Sequence, residues 1–214
     1  VAAAQLGAAP LAAHLCTLSV FSLVTVAAEP LHQTARTMLL RYVSADDNTS
    51  NVFYPPRTLV LLKNLVVASV VMGLILAVVG CASTWALAGV LTRDPAVVKA
   101  VRATSLVLFP SFLLSPVATV VDGALNAPSD FKFMLFTRTS ILGGAILALW
   151  GLRRNGGVLA PLLGVLAPQF GLEGGLYGLE AIWLVFAAHL AMRVVVSLVR
   201  IQTTMQVFSP KAAH

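Results

Sequence analysis

The sequence predicts an all-α fold, a polytopic transmembrane helix bundle of about five spans, and three observations carry that expectation. Of 214 residues, 58% are hydrophobic and 10% charged, whereas an average globular domain has about a quarter charged residues. Mean hydropathy is +0.91, and a water-exposed chain of this size needs more polar surface than that allows. Long stretches also lack any charged residue: Val1–Ala28, Leu65–Leu91 and Ala103–Val121. A hydrocarbon core of about 30 Å is crossed by roughly 20 apolar residues in a helix.

Each element follows in order. A first helix is expected over about 9–43. Glu29-Pro30 ends its uncharged part, and a kink is expected at Pro30 because proline removes a backbone donor. The polar stretch 46–56 reads as a loop, in which Asn48-Thr49-Ser50 forms a glycosylation triplet of little weight. A second helix is expected over about 57–82, ending near Gly80–Ser83 because the uncharged run exceeds one span. Asp94-Pro95 then marks a helix start, an N-cap acid followed by proline at the first helical position.

The third helix, about 95–123, contains Pro110 and Pro116. Prolines inside a span need neighbouring helices to cover the freed carbonyls, so they mark either a structural kink or a bend beside a cavity. A turn over 126–130 precedes a fourth helix over about 131–152, with Asp130 as its cap. Residues 153–173 are rich in Gly and Pro, with an apolar part from Val158 to Leu172 suited to the interface. A fifth helix over about 174–202 carries Glu180, His189 and Arg193.

Five spans place nine basic residues, among them Arg36, Lys63, Lys132 and Arg200, on one face. Arg93, Lys99, Arg102, Arg153 and Arg154 fall on the other, so the first face is expected to be cytoplasmic or its equivalent. The net charge of +6 thus reads as membrane anchoring. No basic stretch interleaved with aromatics suggests nucleic acid as a partner. Cys16 and Cys81 lie in apolar runs without metal spacing and read as small buried hydrophobes. No phosphate-binding Gly-Lys-Ser/Thr loop and no enzymatic constellation is present. Gly143-Gly144 and Gly174-Gly175 read as positions of close helix packing.

Ionisable groups within spans are costly and become functional candidates by default. Glu29 leads, as a carboxyl placed to take up and release a proton, with His32 one helical turn on. Asp122, beside Gly123, joins them as a cation-coupling candidate, against its simpler reading as a turn-capping acid. Gln33, Glu180, His189 and Arg193 are candidates for lining a cavity or pairing with other spans. His14 reads as a packing or hydrogen-bonding histidine.

Several segments, in order, resemble the multidrug-and-toxin-extrusion (MATE) transporter family. Residues 6–14, Leu-Gly-Ala-Ala-Pro-Leu-Ala-Ala-His, look like the junction between the first two helices of a lobe, with Leu15 where glutamine is usual. Glu29-Pro30-Leu31-His32-Gln33-Thr34-Ala35 is similar to a stretch of the plant plastid-type branch, related to DinF-like members, with His32 in place of serine. Asp122-Gly123-Ala124-Leu125 followed by Asp130 resembles the family's glycine-containing turn, with Asn126 and Ala127 replacing glycines. Gly174–Arg200, with Glu180-Ala181-Ile182-Trp183 and Arg193, resembles the last helix.

The resemblance covers roughly residues 6–202 and implies an incomplete C-terminal lobe of a two-lobe transporter, with helices eight to twelve present. The place where some bacterial members carry an acid in helix ten falls near Ser115 by this resemblance, which implies that the acid is absent here. By resemblance, the implied activity is antiport of organic anions or phenolic acids against H⁺ or Na⁺, with no other cofactor, in an integral membrane setting such as the chloroplast envelope. The implied partners are the lipid bilayer, the small organic solute and an N-terminal lobe of the same protein. A lipid-linked saccharide flippase of the same superfamily and a truncated, non-transporting membrane protein are the alternatives.

Overall fold

The computed structural model describes residues 8–42, 44–45, 52–53, 56–126, 131–155 and 179–207. The Asn48 triplet, the Asp130 cap, most of the 153–173 connection and Gly174-Gly175 lie outside the described residues. Helix dominates throughout: α1 Ala8–Thr25, α2 Glu29–Tyr42, α3 Pro56–Leu91, α4 Pro95–Thr104, α5 Phe109–Asn126, α6 Phe131–Asn155 and α7 Leu179–Val207. Two-residue strands, β1 Ser44–Ala45 and β2 Val52–Phe53, pair antiparallel, with Ser44 opposite Phe53.

Among the described residues, four segments are long and apolar enough to cross a membrane: Ala8–Leu39, Val60–Leu91, Lys132–Gly151 and Leu179–Thr203. The α4–α5 pair makes a fifth if it is one broken span, bent by 58°. The chain is therefore an all-α polytopic bundle.

Two prolines reshape the backbone by the same device. In a regular helix the N–H of residue 30 would bond the carbonyl of residue 26, and Pro30 has no N–H. The N–H of Glu29 bonds the Val26 carbonyl instead, giving a 3-10 turn over Val26–Ala28 between α1 and α2. Pro110 likewise cannot reach the Leu106 carbonyl, and the N–H of Phe109 takes it at 3.1 Å. There the chain breaks: the expected single helix over 95–123 is two helices, α4 and α5, separated by Ser105–Leu108. Pro116 sits inside a continuous α5 and is almost completely buried. Asp94 caps α4 by accepting the Ala96 N–H at 2.9 Å.

The second expected helix does not stop at Gly80–Ser83 but continues to Leu91. No proline interrupts it, and two of its glycines, Gly73 and Gly80, face a neighbour. A Cβ on Gly80 would lie 2.6 Å from the ring of Phe112, and one on Gly73 would lie 2.3 Å from the Leu113 carbonyl oxygen. These glycines let α3 and α5 pack closely, the role small residues play between membrane helices.

The core is centred on α5, which packs against α2, α3 and α7. Phe112, Val120 and Val121 on this helix are fully buried. One apolar cluster joins Leu39, Leu62, Val121, Leu190 and Ile201, and a second joins Phe21, Val97, Leu108, Phe112 and Trp183. By contrast α6 is peripheral and packs mainly on α7, with Phe136 75% exposed. A Cβ at Gly143 or Gly144 would meet nothing within 4 Å, so these glycines face open space rather than a close helix contact.

Gly73→Ala forces a methyl into the Leu113 backbone and is expected to cost about 1–3 kcal/mol, the usual penalty for overpacking. Gly89→Ala, where nothing lies within 4 Å, is expected to leave stability unchanged or raise it. Thermal loss of helical circular dichroism in detergent micelles separates the two variants; equal melting temperatures would contradict the close α3–α5 packing.

Candidate functional site

Asp122 lies one turn before the end of α5, with only 8% of its side chain exposed. Its Oδ2 accepts a hydrogen bond from Nη2 of Arg193 on α7, whose side chain is 22% exposed. The same oxygen lies 3.1 Å from Nη2 of Arg138 on α6, which is 47% exposed. One carboxylate thus ties three helices together. Charge-assisted contacts of this kind are the strong ones, and a charge buried in a bundle needs them. Nε of Arg193 is buried and has no hydrogen-bond partner among the described residues.

Gly123, the next residue, points to a different neighbour because successive helical residues are about 100° apart. A Cβ there would lie 2.9 Å from the His32 carbonyl oxygen and 3.1 Å from the Ala35 Cβ. This close approach lets His32 on α2 bring its Nδ1 to 2.8 Å from the Thr119 carbonyl on α5. A carbonyl only accepts, so Nδ1 carries the proton and donates it. The end of α5 therefore meets α2 on one side and α6 and α7 on the other.

Of the remaining sequence candidates, Glu29 and Gln33 meet each other on α2, and Glu180 stands apart from Asp122. Glu29 is exposed at the start of α2, where its Oε1 accepts from Nε2 of Gln33 at 2.9 Å. Among the described residues it forms no ion pair with Arg36. Glu29 lies 21 residues beyond Ala8 in the same candidate span, about 32 Å of helix, close to the thickness of the hydrocarbon core. His32 faces α5 rather than the Glu29 carboxylate. Glu180, half-buried in the first turn of α7, is 13 residues from Arg193, about 20 Å along the helix, and does not reach Asp122.

His189, one turn before Arg193, stacks on Phe186 with ring centroids 6.3 Å apart. It lies within electrostatic reach of both Arg193 and Asp122. Toward the other end of α7, Phe186 and Trp183 join Phe21 and Phe112 in an aromatic cluster, and His14 contacts Trp183 at 5.7 Å. His14 Nδ1, Trp183 Nε1 and His189 Nδ1 are buried without hydrogen-bond partners among the described residues. No group of three potential metal ligands occurs among the described residues.

Arg138 was not singled out as a site residue by sequence reasoning. Its one signal was a guanidinium inside the apolar segment Lys132–Gly151, a placement that in-span charge makes functional by default.

The chain is 27% identical over 154 residues to Protein DETOXIFICATION 47, chloroplastic, from Arabidopsis thaliana. The match covers 72% of this chain and 27% of that relative, so the chain spans about a quarter of the relative's length. No family model matches the chain, and no solved structure does. The relative supports the MATE resemblance at the level of the family.

Removing Arg193 leaves Asp122 buried with only the half-exposed Arg138 for company. Arg193→Ala is expected to cost about 3 kcal/mol or more, the usual loss when one partner of a buried pair is deleted. Arg138→Ala is expected to cost well under half of that. Melting temperatures of the two variants in detergent micelles rank them, and an equal or reversed ranking would contradict the geometry.

Proposed function

We propose that this chain is part of a MATE-type secondary transporter that moves small organic anions, phenolic acids among them, in exchange for H⁺ or Na⁺. The observation that carries the reading is the match to DETOXIFICATION 47 over 72% of a polytopic helix bundle. In this reading the chain supplies the C-terminal lobe, and an N-terminal lobe of the same protein faces it. Alternating access in such transporters comes from one repeat rocking against the other around a central site. The word chloroplastic in the relative's name supports a plastid membrane as the setting.

The Asp122 site suits an anionic solute. Among the described residues, two guanidiniums against one carboxylate leave one positive charge uncompensated, and Nε of Arg193 is a buried donor without an acceptor. A solute carboxylate reaching this site competes with Asp122 for Arg193 and Arg138. Each such exchange loosens α5 from α6 and α7, which is the kind of discrete two-arrangement element a transport cycle needs. His189 and the half-buried Phe186 ring stacked on it offer apolar surface to a phenolic ring.

Coupling falls to Glu29, the acid of α2 that no guanidinium engages among the described residues. Gln33 donates to it, and replacing Gln33's one hydrogen bond by a bound cation or proton is chemically simple. His32 holds α2 against α5 nearby, and Asp122 is left to bind guanidinium rather than the coupling ion.

The test uses the full-length gene product in sealed vesicles, with uptake of a labelled phenolic acid driven by an imposed pH or Na⁺ gradient. Glu29→Gln is expected to lower gradient-driven uptake about tenfold, a change of about 1.4 kcal/mol in coupling. Unchanged coupled flux in that variant overturns the role given to Glu29. Absence of gradient-driven uptake in the unmutated protein, across a panel of organic anions, overturns the transport reading itself.

A further inference from the structure

The elbow between α3 and α4 carries a basic groove that the Asp122 site does not use. This open groove of about 610 Å³ is lined by Thr92, Arg93, Lys99 and Arg102, with Gly89 and Val98 beneath. A Cβ at Gly89 would meet nothing within 4 Å, so the groove is unobstructed at that point. None of the three cations forms an ion pair among the described residues. Asp94, the acid beside them, is committed to capping α4: it accepts the Ala96 N–H at 2.9 Å, while its own N–H donates to Thr92 Oγ1 at 3.2 Å. We propose that this groove binds the phosphate of an anionic lipid headgroup.

The level of the groove argues for lipid as the source of the phosphate. The apolar span Val60–Leu91 ends at its edge. Its 32 residues make about 48 Å of helix, longer than the hydrocarbon core of about 30 Å, so its end reaches the headgroup layer. Val90, immediately before the groove, is 80% exposed, and Trp85, one and a half turns back, is exposed as well. Trp at this position matches the aromatic belt at a membrane surface.

The guanidinium of Arg102, one of the groove's lining residues, lies 4.7 Å from the centroid of the Trp85 ring, a cation–π contact that holds a charge beside an aromatic at the groove. Helix α4 is amphipathic in the same sense. Val97 and Val101 are buried against the bundle, while Lys99 and Arg102 are exposed. Inclined by 58° to α5, α4 does not continue that helix but turns aside where the apolar span ends.

The experiment reconstitutes the purified full chain in phosphatidylcholine nanodiscs containing increasing fractions of phosphatidylglycerol. Native mass spectrometry counts the anionic lipid retained by the protein. Arg93→Gln, Lys99→Gln and Arg102→Gln are each expected to lower retention affinity about fivefold, the usual effect of one basic residue near an anionic surface. The triple variant is expected to lose roughly a hundredfold, losses at the three positions multiplying. Lys63→Gln removes the same charge near the other end of α3, outside the groove, and is expected to lower retention less than any groove variant.

Circular dichroism in pure phosphatidylcholine checks that each variant folds, and if the triple variant does not, the three single variants decide. Retention unchanged by the groove substitutions overturns the proposal. So does a loss with Lys63→Gln as large as with the groove variants, which would indicate general charge rather than a site. Displacement of the lipid by millimolar inorganic phosphate would assign the groove to a free anion and overturn the lipid reading.

Discussion

A carboxylate buried where helices pack against one another has to be met by cations, and Asp122 is met by two. The desolvation of its charge is large, and only hydrogen-bonded guanidiniums offset it in such surroundings. Because Arg193 comes from α7 and Arg138 from α6, that requirement sets where both helices stand relative to α5. The adjacent Gly123 sets the third neighbour, since its missing side chain admits α2 and the His32–Thr119 hydrogen bond. Two consecutive residues, one charged and one without a side chain, thereby organise one end of the bundle.

The other half of the architecture depends on how proline changes hydrogen bonding in an apolar medium. With no water to satisfy a freed carbonyl, the residue before Pro30 and the residue before Pro110 each take over the bond that the proline cannot make. At Pro30 the result is a single tight turn within one span. At Pro110 it is a break large enough to tilt α4 away from α5, which places the basic groove beside the end of α3. The same local chemistry gives two outcomes because different neighbours surround the two sites. At the second, the aromatic ring of Phe112 is held against Gly80 and Phe21.

Much of the fold class was legible in the sequence, because uncharged runs long enough to cross a bilayer have no use in water. The start of α4 was legible too, since Asp94-Pro95 is a local signal that needs no distant partner. Glu29 and Gln33, four residues apart on one helix, meet as that spacing allows. The pairing of Asp122 was not legible. Its strongest partner lies 71 residues away, and sequence shows that both groups are charged but not that they face each other. Read locally, Asp122 looked like a turn-capping acid; in the structure it sits inside α5 and its carboxylate faces sideways. The length of α3 was not legible either, because a run longer than one span needs does not show whether the excess continues the helix or turns along the interface, and α3 continues to Leu91.

A double-mutant cycle between Asp122 and Arg193 tests the account most directly. The two single variants, Asp122→Asn and Arg193→Gln, and their combination are unfolded in detergent micelles under one set of conditions. If the carboxylate and guanidinium hold α5 to α7, the double variant loses less than the sum of the singles, with a coupling of about 1 kcal/mol or more. Losses that simply add, to within about 0.5 kcal/mol, would mean that the two side chains act independently and that something else positions the helices around α5.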